Sequence, residues 1–65
     1  MLTKREKEIL FLISEGLGSK QIAIKLKASE NTISNHRKSM LKKTNTRNVA
    51  HLIKYAIKNN IIKLH

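Results

Sequence analysis

Asn31, Asn35 and Lys38 recur at helical spacing in the middle of the chain, with Lys42 one turn further on. At about 100° per residue, that spacing places all four on one side of a helix. A carboxamide can form two hydrogen bonds at once with the N6 and N7 edge of adenine. An ammonium can donate to guanine O6 or N7. Asn31, Asn35 and Lys38, near the helix start, are therefore expected at base edges, and Lys42 at a phosphate. Ser34 and Ser39 flank this stripe, and no acidic residue interrupts it. Ser19, Lys20, Thr32 and Arg47 fall at predicted helix starts, where backbone N–H groups and side chains can hold phosphate oxygens. For Ser19 and Thr32, helix capping alone is the alternative. His36 lies between the two faces, and both core edge and backbone contact stay open for it.

Catalytic chemistry lacks its parts. The chain has no Asp, no Cys and four Glu, of which Glu6 and Glu8 are expected on one exposed helix end. His36, His51 and His65 are far apart in sequence, and none is paired with a carboxylate at metal-binding spacing. Nor is there a glycine-rich phosphate loop. The reading is a binding module and not an enzyme, with no metal and no cofactor. Without cysteine there is no disulfide, which is compatible with a reducing cytoplasm.

Charge points to the partner. The net charge is +10, but residues 1–15 balance Lys4, Arg5 and Lys7 against Glu6, Glu8 and Glu15. The remaining eleven Lys and Arg face Glu30 alone. A positive field confined to the reading segment and the residues C-terminal to it favours a polyanion, most simply nucleic acid. The longest apolar run, Ile9 to Ile13, is too short to span a bilayer, and no signal peptide is evident.

Four short elements must position these residues. Sixty-five residues with no proline and two glycines make one all-α domain, residues 1–65. It is expected as a four-helix bundle with helices at about 3–15, 20–26, 30–43 and 47–58. Thr3 and Glu6 form a capping box at the first start, Ile9, Leu10, Leu12 and Ile13 supply its buried face, and Gly16 ends it in the left-handed conformation. Ser19 is expected to cap the second helix, which buries Ile22, Ala23 and Leu26. Its turn, Lys27-Ala28, has no glycine, so either Lys27 adopts positive φ at about 1 kcal/mol or the turn is of another type. Ser29 caps the third helix, whose buried side carries Ile33, Met40 and Leu41 with Arg37 and Thr44 beside them. Thr46 is expected to cap the fourth, with Val49, Ile53, Ala56 and Ile57 as its main stripe and Leu52 and Tyr55 off it. Asn59-Asn60 are left-handed terminators, followed by an apolar tail of Ile61, Ile62 and Leu64. Phe11 and Tyr55 either pack on that tail or form an exposed patch for a partner. Residues 19–38 then form a helix-turn-helix, with the second helix of the pair as the reading element.

The segments LTKREKEIL, EGLGSKQIA, SENTISNHRK and LKK…RNVAHL resemble the LuxR-type (GerE-like) DNA-binding domain of bacterial transcription regulators. The resemblance runs from Leu2 to Ile62. It implies a four-helix domain whose third helix enters the major groove of double-stranded DNA. Ser34, Asn35 and Lys38 match positions that touch bases, and Lys20, Thr32, Lys42, Lys43 and Arg47 match positions that meet the backbone. Helix four commonly forms a two-fold contact, here through Val49, Leu52, Ile53 and Ala56, giving a homodimer on inverted half-sites that is weak in isolation. Glu6 matches an acidic position that ties helix one to the rest. Departures are Lys27 for the usual turn glycine, Thr44-Asn45 for Leu-Gly, Ser34 for lysine and Phe11 for a polar residue. Most such proteins carry an N-terminal receiver or ligand-binding domain. The expectation is a separated C-terminal output domain of a cytoplasmic bacterial regulator, with Met1 an introduced start, the alternative being a small free-standing regulator.

Two rival readings remain. One is a sigma-factor-like promoter module bound to RNA polymerase. The other is a cationic membrane- or partner-binding bundle. The second expects charge opposite one continuous greasy face, whereas caps at Thr3, Ser29 and Thr46 divide this chain into separate packed helices.

Overall fold

The structure is a computed structural model and describes residues 1–62. The expected apolar tail residue Leu64 lies outside that range, as does His65. Four helices succeed one another: α1 (Lys4–Ser14), α2 (Ser19–Leu26), α3 (Glu30–Thr44) and α4 (Val49–Lys58).

Each start is capped. The Thr3 hydroxyl accepts from Glu6 N–H at 3.1 Å, and Glu6 Oε1 accepts from Thr3 N–H at 2.8 Å, which completes the capping box. Ser29 accepts from Thr32 N–H at 3.0 Å. Two expected caps are corrected. Gly18 and not Ser19 precedes α2, its N–H donating to Gln21 Oε1 at 2.8 Å, so Ser19 is the first helical residue. Asn48 and not Thr46 caps α4, accepting from His51 N–H at 2.9 Å. Asn48 sits one residue before the helix, where its amide oxygen reaches the third N–H. Thr46 instead pairs with the Thr44 hydroxyl at 2.9 Å, and α4 starts two residues later than the 47 expected.

All four helices end in the same way. After each one a left-handed residue (Gly16, Lys27, Asn45 or Asn60) turns the chain. The next N–H then bonds back five residues: Leu17 to Leu12, Ala28 to Ala23, Thr46 to Leu41 and Ile61 to Ala56. This is the Schellman closure, which satisfies orphan carbonyls and turns the next residue back toward the helix. Glycine occupies only one of the four positions. Asparagine tolerates the conformation locally, so Thr44-Asn45 ends α3 as Leu-Gly would. Lys27 does take positive φ, at 55°.

The core is built from Ile9, Leu10, Ile22, Ile33, Met40 and Leu52, all fully buried, with Ala23 and Ala56 where helices pass close. α2 packs most extensively on α3, and α3 also contacts α1 and α4. Ile13, Leu26 and Leu41 are only partly buried at its margin. Periodicity sets Leu52 off the main stripe, yet it is 0% exposed, as is Ala56. The apolar arc of α4 is wider than one contact needs, and the side centred on Leu52 and Ala56 turns inward. Glu6, expected with Glu8 on an exposed helix end, is 2% exposed. Phe11 is exposed, Tyr55 half-buried.

Candidate nucleic-acid interface

The outer side of α3 is arranged as its spacing requires. Ile33 and Met40 are buried and anchor the helix to α1, α2 and α4. Opposite them Asn31, Asn35, Lys38 and Lys42 are exposed, with Ser34 and Ser39 half-buried along the edge. His36 is half-buried, between the faces. Glu30 occupies the first turn, and Lys42 and Lys43 the last, which suits the helix dipole. Beyond Glu30 the sequence contains no carboxylate side chain.

Two long-range polar contacts hold this helix. Arg37, half-buried beside Ile33 and Met40, donates from Nη1 to Ser19 Oγ at 2.7 Å. That bond ties the middle of α3 to the first residue of α2. Lys43 Nζ lies 2.8 Å from Glu6 Oε1 and ties the end of α3 to α1. Burial pushes the Glu6 carboxyl up, but the Lys43 ammonium and the Thr3 N–H outweigh it and hold its pKa at about 2. Sequence reasoning pairs neither Glu6 with Lys43 nor Arg37 with Ser19. A partial signal exists for Glu6: it precedes buried Ile9 and Leu10 by three and four residues, so it shares their inward face.

The expected phosphate residues divide. Lys20 in the first turn of α2, Lys42, and Arg47 before α4 are exposed. The Ser19 hydroxyl is half-buried and engaged by Arg37. Thr32 is exposed, but its hydroxyl lies 2.7 Å from Ser29 Oγ within the α3 cap. The Lys43 ammonium is occupied by Glu6. Of the expected dimer contacts, Val49 and Ile53 are half-buried. Leu52 and Ala56 are corrected: they fill this chain's own core and have no surface left for a partner.

Among the described residues no helix is long and apolar enough to cross a membrane. The surface therefore combines an exposed row of amides and ammonium groups on α3, a helix pair tied by the Arg37–Ser19 bond, and no carboxylate side chain beyond Glu30.

Known proteins are similar to this chain in sequence and fold. Residues 1–56 match the family described as bacterial regulatory proteins, luxR family. The chain is 48% identical over 61 residues to the probable transcriptional regulator ycf29 of Porphyra purpurea, covering 94% of this chain and 29% of that protein. It is 40% identical over 62 residues to the oxygen regulatory protein NreC of Staphylococcus carnosus, covering 95% and 29%. The chain thus spans under a third of the length of these relatives. Among solved structures, the response regulator ChrA of a heme-sensing two-component system superimposes with a TM-score of 0.90 at 34% identity, covering 95% of this chain and 31% of that one. The chain belongs to the luxR family of bacterial regulatory proteins, as a helix-turn-helix domain of DNA-binding transcription regulators.

Proposed function

We propose that this chain binds double-stranded DNA sequence-specifically by laying α3 in the major groove. Asn31, Ser34, Asn35 and Lys38 contact base edges, and Lys20, Lys42 and Arg47 hold phosphates. Thr32 and Ser19 assist at the backbone only through groups that the Ser29 cap and Arg37 leave over. The observation that carries this reading is the exposed, acid-free row on α3 above fully buried Ile33 and Met40. A solvated helix of this length ordinarily mixes both signs, and a lipid-facing one would expose apolar residues along the row.

A second copy pairs through α4, placing two reading helices about one turn of DNA apart on inverted half-sites. Val49 and Ile53 contribute to that contact, without Leu52 and Ala56. The chain serves as the output domain of a longer cytoplasmic regulator, as the lengths of ycf29, NreC and ChrA suggest by analogy. It acts by binding and not by catalysis. Selection of random duplexes by the purified chain at physiological salt tests this reading, and a two-fold consensus is the expected result. Recovery of duplexes without any consensus contradicts it. Purification with RNA polymerase in the absence of a DNA preference favours the sigma-like alternative.

A further inference from the structure

We infer that His51 is a positioning residue for the Arg47 phosphate contact, and that it performs this role only while its imidazole is uncharged. The inference rests on the assignment of Arg47 to a phosphate in the proposed function. Arg47 lies in the connection between α3 and α4, where each residue is tied separately. Asn45 N–H donates to Lys42 O at 3.3 Å and Thr46 N–H to Leu41 O at 3.0 Å. Asn48 Oδ1 accepts from His51 N–H at 2.9 Å. Arg47 N–H donates to His51 Nδ1 at 3.3 Å. His51 is the third residue of α4, so its backbone and its ring close a reciprocal cap. The N–H satisfies the Asn48 amide, and the ring takes the N–H of the residue before that cap. Glu or Gln ordinarily supplies the second half of such a box. Here an imidazole does, and it is the one titratable group among these four ties.

The chemistry of the ring sets the condition. Nδ1 accepts only in the neutral tautomer that carries its proton on Nε2, and in the protonated ring both nitrogens are donors. The Arg47 N–H then loses its acceptor. The groups facing the ring are Lys54, Tyr55 and Lys58 of its own helix, with which it borders one shallow recess, and Arg47 of the connection. Among the described residues none of α1, α2 or α3 lines that recess. None of the facing groups carries a negative charge at neutral pH, so nothing replaces the lost bond. The tie engages only the backbone of Arg47 and leaves its exposed side chain to reach outward. A loop fixed in its bound conformation before the ligand arrives lowers the ordering cost of binding. His51 accordingly favours the Arg47 contact without touching the duplex itself.

Duplex affinities of wild type, H51A, R47A and R47A/H51A form a double-mutant cycle that separates action through Arg47 from action of His51 alone. Both positions are exposed, so the core stays intact. At about pH 8, where an imidazole is ordinarily uncharged, H51A should weaken the preferred duplex about threefold. In the R47A background it should weaken it no further. At about pH 5 that coupling should vanish, because the protonated wild-type ring has already released Arg47. Glu6, with its pKa at about 2, keeps its charge at both values, and any change at His36 enters all four chains alike. Amide hydrogen exchange reads the tie directly. Protection of the Arg47 N–H should be present in wild type at about pH 8 and lost both at about pH 5 and in H51A. Equal losses from H51A in both backgrounds, or a coupling indifferent to pH, overturn the inference. So does an Arg47 amide that exchanges alike in wild type and H51A. If R47A by itself leaves affinity unchanged, the phosphate reading of Arg47 falls, and the inference falls with it.

Discussion

Lys43 and Glu6, 37 residues apart in sequence, meet at 2.8 Å, and this contact joins the end of the reading helix to the start of α1. The Glu6 carboxylate also accepts from Thr3 N–H at the same distance, so one buried group closes a helix cap and an interhelix tie. Its low pKa makes that tie a source of stability above the ordinary carboxylate range.

The sign of the pH dependence is set by those two values. Glu6 in the unfolded chain titrates near about 4.3, and in the folded chain at about 2. Its contribution, on the order of 2 kcal/mol after allowing for the partly exposed lysine, is fully present above that unfolded value. It is lost as pH falls through the folded one. Thermal unfolding tracked by circular dichroism should show Tm falling between pH about 5 and about 2, and Glu6→Gln should flatten that fall. Lys43→Met should destabilise at neutral pH by about 1–2 kcal/mol, because the Glu6 carboxylate then keeps only the Thr3 N–H.

Arg37 is expected to act on DNA through Ser19 and not through a base. Arg37→Ala removes the bond between α2 and α3, costing about 1–2 kcal/mol of stability. Affinity should fall by a similar factor for every duplex sequence, as measured by fluorescence anisotropy against a panel of sites. A loss confined to one base position would make Arg37 a reading residue instead.

The α3 row separates into reading and anchoring positions. Asn35→Ala and Lys38→Ala should cost about 1–3 kcal/mol on the preferred site and relax preference at individual bases. Lys42→Ala should weaken all duplexes alike and reduce the slope of log K against log salt by about 0.9. Titrations at several salt concentrations distinguish the two behaviours, and identical responses from all three variants would contradict the division.

Lys27 holds a left-handed backbone at φ 55° in the turn of the helix pair. Glycine adopts that conformation without the Cβ penalty, so Lys27→Gly should raise stability by up to about 1 kcal/mol, seen as a higher Tm. Lys27→Val, β-branched at the same angles, should lower it.

Helix number and the buried side of α3 are legible from spacing because Ile33 and Met40 recur at helical period against an unbroken polar side. Capping chemistry is legible where the cap residue carries its own partner three positions on, as Thr3 does with Glu6. It fails at Thr46, because Asn48 offers an equally good acceptor two residues later and sequence alone does not rank them. The orientation of α4 is ambiguous for a different reason. Val49, Leu52, Ile53, Ala56 and Ile57 cover more than one side, and only packing against α3 decides that Leu52 and Ala56 turn inward. Long-range pairs such as Arg37 with Ser19 depend on where helices cross, which local periodicity does not encode.

The most direct test of the central claim replaces purine N7 by carbon (7-deaza-adenine or 7-deaza-guanine) within the selected site, removing an acceptor that faces only the major groove. Loss of about 1–3 kcal/mol at specific positions, absent in the Asn35→Ala or Lys38→Ala chain, is the result expected if those side chains read the groove. Affinity unchanged by every deaza substitution in the wild-type complex would contradict it.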